Sequence, residues 1–158
     1  METGSNALRQ ILLAEDNPAD VMLVRLSLND AGFNCVLTVV DDGDKAISLI
    51  DRLDEDSKAP PIDLLLLDLH LPRRDGEDIL RRLRSTERNA QTPVIVMTAS
   101  DAPHDHQMAQ KHAAIHYFRK PNSLVEFMQL GVIVRGVLTG TKTAANKASE
   151  PTAGGGAA

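Results

Sequence analysis

A chain of 158 residues with 42% hydrophobic and 25% charged side chains has the make-up of one soluble globular domain with a sizeable core. Its formal net charge of −5 works against nucleic acid and anionic membrane as partners, and the absence of tryptophan removes a broad stacking platform for bases or sugars. The single cysteine, Cys35, excludes an internal disulfide and a cysteine-rich zinc site, and its run of apolar neighbours predicts a small buried strand residue. No apolar run approaches the roughly 20 residues needed to cross a bilayer. The opening Met1-Glu2-Thr3-Gly4-Ser5-Asn6 lacks the charge and apolar core of a secretion signal, so a cytoplasmic location is expected.

Along the chain, apolar runs alternate with helical patterns. Ile11-Leu12-Leu13-Ala14 is a short run closed by acids and Pro18, and it predicts a first strand. Val21, Val24 and Leu28 recur at helical spacing over 20–31, and Gly32 stops the pattern. Residues 36–40 are β-branched and strand-like, then Ala46, Ile47, Leu49, Ile50 and Leu53 predict a second helix that ends before Pro60-Pro61. Residues 62–67 are the most apolar strand candidate. A third helix is predicted over 76–85 with Ile79, Leu80 and Leu83 inward, a fourth strand over 93–98, and a polar fourth helix over 104–112. A fifth strand over 115–118 and a fifth helix over 123–138 complete the pattern.

Strands that are apolar along their length belong in a parallel sheet covered on both faces. Five such units predict an α/β fold, a doubly wound flavodoxin-like sheet of five strands in the order 2-1-3-4-5 with five helices. Residues 1–7 are read as a flexible N-terminus. Residues 139–158, with Gly154-Gly155-Gly156 among many Ala, Thr and Lys, are read as a disordered low-complexity tail. No second domain or internal repeat is visible.

In such a sheet, ligands bind beyond the carboxyl ends of the strands. Strand one ends in Glu15-Asp16, strand three in Asp68, strand four in Thr98 and strand five in Arg119-Lys120-Pro121. Three close carboxylates raise one another's pKa and call for a divalent cation, and an all-oxygen set with few protein ligands suits Mg²⁺. A metal beside a nucleophilic carboxylate and a lysine is equipment for phosphoryl transfer. Any one of these acids alone reads as a solvated loop residue or a helix cap; the whole set at successive strand ends is a poor fit to chance.

Leu13-Ala14-Glu15-Asp16-Asn17, Leu67-Asp68-Leu69-His70-Leu71-Pro72 with Asp75-Gly76, Met97-Thr98-Ala99-Ser100 and Tyr117-Phe118-Arg119-Lys120-Pro121 together resemble the CheY-like response-regulator receiver family, over residues 8–138. The combination of Asp16-Asn17-Pro18-Ala19-Asp20 with Leu71-Pro72-Arg73-Arg74-Asp75-Gly76 is further similar to the single-domain regulators associated with bacterial phytochromes. The resemblance implies that Asp68 is the phosphoacceptor and that Mg²⁺ is held by Glu15, Asp16 (the direct ligand), Asp68 and the backbone carbonyl of His70. It implies that Lys120 binds the phosphoryl group, that Thr98 closes on it and that Tyr117 is the aromatic of the switch. It also implies a sensor histidine kinase or histidine phosphotransfer protein as donor and a downstream protein partner as target. The chain is then expected to catalyse only its own phosphorylation and dephosphorylation, and is not otherwise an enzyme. Three features depart from the common family pattern: Glu15 opens the acidic pair, His70 stands where asparagine or methionine is frequent, and Ala113-Ala114 replaces Gly-Ala.

Two other readings compete. A haloacid-dehalogenase-type phosphatase needs a second aspartate two residues after the nucleophile, where this chain has His70. A pseudo-receiver would bind partners without phosphorylation, against which stand the complete acid set, Thr98 and Lys120. His104, His106, His112 and His116 share no face and read as exposed polar residues rather than metal ligands. Arg81, Arg84 and Arg88 at helical spacing, with Arg74, predict a basic stripe on helix three, read as a solvated face or partner contact. Helix five is apolar on nearly every side, which predicts a homodimer through Leu130, Val134 and Val137.

Overall fold

The computed structural model describes residues 8–32 and 34–140. The expected N-terminal segment and, but for Thr139 and Gly140, the expected tail lie outside these residues. Five strands, β1 (Arg9–Ala14), β2 (Cys35–Val40), β3 (Leu64–Leu67), β4 (Val94–Thr98) and β5 (His116–Arg119), form one parallel sheet in the order β2-β1-β3-β4-β5. The register pairs Ala14 with both Val40 and Leu67, and Thr98 with Arg119, so the strands finish along one edge. The helices are α1 (Pro18–Ala31), α2 (Gly43–Glu55), α3 (Gly76–Ser85), α4 (Pro103–Lys111), α5 (Leu124–Phe127) and α6 (Gln129–Thr139). The doubly wound flavodoxin-like architecture expected from the sequence is the observed one.

Alternate residues of each central strand face opposite layers, and both layers are dry. Leu12, Ala14, Leu65, Leu67, Val94 and Val96 pack with Ala46 and Ile50 of α2, Ile79, Leu80 and Leu83 of α3 and Met108 of α4. Ile11, Leu13, Leu64, Leu66, Ile95 and Met97 pack with Val24 and Leu28 of α1, Phe127 of α5 and Leu130, Ile133 and Val134 of α6. Each fully buried leucine of β3 contributes about 2 kcal/mol through burial, so this strand anchors the acids that follow it. Cys35, in β2 at the edge of the sheet, is half-buried rather than buried; among the described residues no strand lies beyond β2.

The fifth helical segment departs from expectation. It is broken at Met128, between α5 and α6, where α1 comes very close. The Ser27 hydroxyl donates to the Met128 carbonyl at 3.2 Å and accepts from the Gly131 amide at 2.6 Å, intruding where the helix ladder would continue. A Cβ on Gly131 would run into the Ser27 carbonyl, so only glycine allows this approach. The close packing also corrects the expected dimer contacts. Leu130 and Val134 are 0% exposed inside their own domain, and Val137 is partly buried against the same core. The large apolar side chains left exposed on this segment are Leu124, Val125 and Val132.

The basic stripe is also absent. Arg88 lies beyond the end of α3, and both Arg84 and Arg88 turn inward to backbone carbonyls. Arg81 pairs with Asp78 and Glu77, and Arg74 with Asp44.

Candidate functional site

The ladders carry beyond the strand ends and deliver the acids to one place. Glu15 N–H donates to Val40 O at 2.9 Å, Asp68 N–H to Ala14 O at 3.0 Å and Lys120 N–H to Thr98 O at 2.8 Å. One carboxylate oxygen from each of Glu15, Asp16 and Asp68 lies within 4.8 Å of the others; Glu15 and Asp68 are buried and Asp16 is exposed. The Lys120 ammonium sits 2.7 Å from Glu15 Oε1, 2.8 Å from Asp20 Oδ2 and 3.1 Å from Asp68 Oδ2. Asp68 Oδ1 accepts from the His70 amide at 3.1 Å, and Glu15 Oε2 from the Asn17 amide at 3.0 Å.

Burial pushes the Glu15 carboxyl up to about 7, with the charge of Asp68 adding to the rise and Lys120 and the Asn17 amide opposing it. Burial alone would lower the Lys120 ammonium, but the carboxylates of Asp20 and Glu15 outweigh it and hold it above the usual lysine range. Glu15 Oε1 makes a close ion-pair contact with Lys120 but no hydrogen bond of acceptable geometry. A buried carboxylate oxygen left in that condition, in an all-oxygen donor set, fits a hard divalent cation.

The rim of the site reaches α4. His70 Nε2 lies 2.9 Å from Asp105 Oδ2, a largely buried acid held below its usual range; burial works against this, but hydrogen bonds from Ser100 and His70 outweigh it. Thr98 is buried at the end of β4, and its Oγ1 accepts from the Ser100 amide at 3.2 Å. The Tyr117 hydroxyl donates to the Ser100 carbonyl at 2.9 Å while its ring stacks on His106, with centroids 3.8 Å apart. His106 in turn contacts Asp101 at 2.8 Å.

Every site residue expected from the sequence therefore lies at this edge or on its rim: Glu15, Asp16, Asp68, Lys120, Thr98, His70 and Tyr117. The sequence reading missed Asp20 and Asp105. Asp20 was visible only as part of Asn17-Pro18-Ala19-Asp20, and nothing local tells that it meets a lysine 100 positions on. Among the described residues no histidine joins a metal-binding group. A cavity of about 140 Å³ opens toward the other end of the sheet, lined by Gln10, Leu49, Leu53, Pro60 and Ile62 among others; no ionisable residue lines it, so the chemistry is not there.

Residues 11–130 match the response regulator receiver domain. The chain belongs to that family. Among its relatives, the transcriptional regulatory protein TrcR of Mycobacterium tuberculosis is 35% identical over 119 residues, 75% of this chain and 42% of TrcR. The response regulator Rcp1 of Synechocystis sp. is 34% identical over 100 residues, 63% of this chain and 68% of Rcp1. The chain thus spans well under half of TrcR and about two thirds of Rcp1. Among solved structures, the phosphorylated cyanobacterial phytochrome response regulator RcpA superposes with a TM-score of 0.76 at 28% identity, covering 87% of this chain and 98% of that one. The Mn²⁺-bound form of Rcp1 gives 0.73 at 27% identity, covering 85% and 97%. The receiver fold and the likeness to phytochrome-associated regulators expected from the motifs are both found.

Proposed function

We propose that this receiver accepts a phosphoryl group onto Asp68 from the phosphohistidine of a sensor histidine kinase or a histidine phosphotransfer protein, and signals to a downstream protein through a change of surface. The observation that carries this reading is a buried aspartate at the end of β3 with an ammonium 3.1 Å away and two further acids within cation-binding reach. An Asp68 oxygen supplies an electron pair to phosphorus; the bond from phosphorus to the donor's ring nitrogen breaks, and that nitrogen keeps the pair. Glu15, Asp16, Asp68 and the His70 carbonyl would hold Mg²⁺, which would supply neutralising charge for the phosphoryl oxygens. Lys120 adds a second positive charge from its own side of Asp68.

Thr98 and Tyr117 read the new charge. Thr98 ends the neighbouring strand, and the Tyr117 hydroxyl is tied to the β4–α4 connection two residues further on, so movement of that connection reaches the α4 surface. A cytoplasmic location and a homodimer complete the reading. No helix among the described residues is long and apolar enough to cross a membrane. For the dimer, the contacts fall to the exposed Leu124, Val125 and Val132.

The test is intact-mass measurement after incubation with acetyl phosphate and Mg²⁺. The wild type gains one phosphoryl group and Asp68→Asn gains none. Labelling that survives loss of Asp68 refutes the assignment, and a wild type that never labels returns the pseudo-receiver reading.

A further inference from the structure

We propose that Asp20 is a positioning residue for Lys120, holding its ammonium in place beside Asp68 when the other two carboxylates it contacts are engaged by a metal ion. The proposal rests on the reading of Asp68 as phosphoacceptor. Of the three carboxylates around the Lys120 ammonium, Glu15 and Asp68 belong to the cluster that fits a cation, and Asp20 does not. A divalent charge there would weaken the hold of Glu15 and Asp68 on the lysine, whose ammonium sits at the end of a four-carbon stem and is placed by these contacts. Asp20 is the contact that survives. An ammonium has three protons, so the one given to Asp20 leaves others for an oxygen on Asp68.

A different explanation for Asp20 is that it serves the helix it starts. Asn17 is the N-cap of α1 and Pro18 the first residue, which puts Asp20 at the third helical position, where an acid commonly reaches back to the cap amide. Here that amide is already taken by Glu15 Oε2 at 3.0 Å, and Asn17 Oδ1 accepts from the Ala19 amide at 2.9 Å. The Asp20 carboxylate turns to Lys120 at 2.8 Å instead. Both side chains are mostly buried, 18% and 12% exposed, so the contact is shielded from the screening that weakens surface pairs. Asn17-Pro18-Ala19-Asp20 thus builds the helix start from Asn17 and Pro18 and leaves the acid for the site.

The experiment compares the full-length wild type with Asp20→Asn and Asp20→Glu. It measures the rate of labelling by acetyl phosphate at saturating Mg²⁺, the Mg²⁺ dissociation constant by calorimetry, and the thermal midpoint of each protein. Loss of one charge-assisted contact should slow labelling of Asp20→Asn by about tenfold. Its Mg²⁺ affinity should stay within about twofold of the wild type, since Asp20 holds the lysine and not the metal. Asp20→Glu should recover part of the rate. Labelling of Asp20→Asn as fast as the wild type, or faster, overturns the proposal. So does a fall in Mg²⁺ affinity that matches the fall in rate, which would make Asp20 part of the metal site, or a rate loss explained by a collapsed thermal midpoint that Asp20→Glu shares. A wild type that fails to label overturns the phosphoacceptor reading itself, and the role of Asp20 with it, and is told apart because no variant is then involved.

Discussion

At the carboxyl edge of the sheet, Glu15, Asp20 and Asp68 share the single ammonium of Lys120, while around the loop after α3 two arginines spend themselves on seven backbone carbonyls. Arg84 donates to the carbonyls of Ala90, Thr92, His112 and Ala113, and Arg88 to those of Leu53, Asp56 and Ala59, closing the ends of α4 and α2. Both regions are dense in charge. In the second, each guanidinium meets helix and loop ends that carry partial negative charge, so its charge goes to holding the backbone. In the first, Asp16 stands exposed beside two buried acids, and one oxygen of Glu15 has no proper hydrogen bond. Charge matched by backbone carbonyls makes structure; charge held in surplus makes a site.

Removing a charge should therefore have opposite effects in the two regions. The largest is expected at Arg84→Ala, which strands several half-buried carbonyls and should cost about 3 kcal/mol, read as a lower urea midpoint. Labelling of the protein that remains folded should persist. An Arg84→Ala variant as stable as the wild type would erase the contrast.

Glu15→Gln comes next, and its sign reverses with metal. The folded protein holds the Glu15 proton up to about 7, against 4.5 for the ordinary side chain, so burial makes folding take up a proton in that window. This group's contribution to stability is complete below about 4.5 and is lost as pH rises toward 7. Removing the ionisable group should make the metal-free protein more stable at pH 8 by about 2 kcal/mol and remove that part of the pH slope. In millimolar Mg²⁺ the wild type should regain the advantage. Urea titrations at pH 5 and pH 8, with and without Mg²⁺, check both statements; a variant less stable than the metal-free wild type at pH 8 contradicts them.

The strand ends and the acids on them were legible in the sequence because each apolar run stops at a charged or hydroxyl residue, and parallel strands must finish together. Leu64–Leu67 followed by Asp68 leaves little choice. Contacts made across the fold were not legible. The Ser27 hydroxyl that splits the fifth helical segment and the Asp20 carboxylate that reaches Lys120 both lie on α1, more than 95 residues from their partners. Arg88 fell into helical spacing with Arg81 and Arg84 although α3 ends at Ser85, since spacing alone cannot register a helix that stops. Leu130 and Val134 looked like surplus apolar surface because α1 had not yet been brought against them.

The smallest expected effect concerns strain at the end of α4. Ala113 takes a left-handed backbone, φ 60°, a conformation that favours glycine. Relief of the Cβ clash, set against the greater freedom of glycine in the unfolded chain, should leave Ala113→Gly more stable by about 0.5–1 kcal/mol. A lower urea midpoint for this variant would mean that the Arg84 contact to the Ala113 carbonyl depends on the alanine geometry.

The contrast between the two regions comes down to whether the carboxyl edge is short of a cation. Thermal midpoints of the wild type and Asp16→Ala across a Mg²⁺ titration test this directly. A ligand at 100 times its dissociation constant adds about 2.7 kcal/mol, so the wild-type midpoint should climb by several degrees while Asp16→Ala stays nearly flat. A wild type that shows no rise at millimolar Mg²⁺, or an Asp16→Ala that rises equally, would contradict the account.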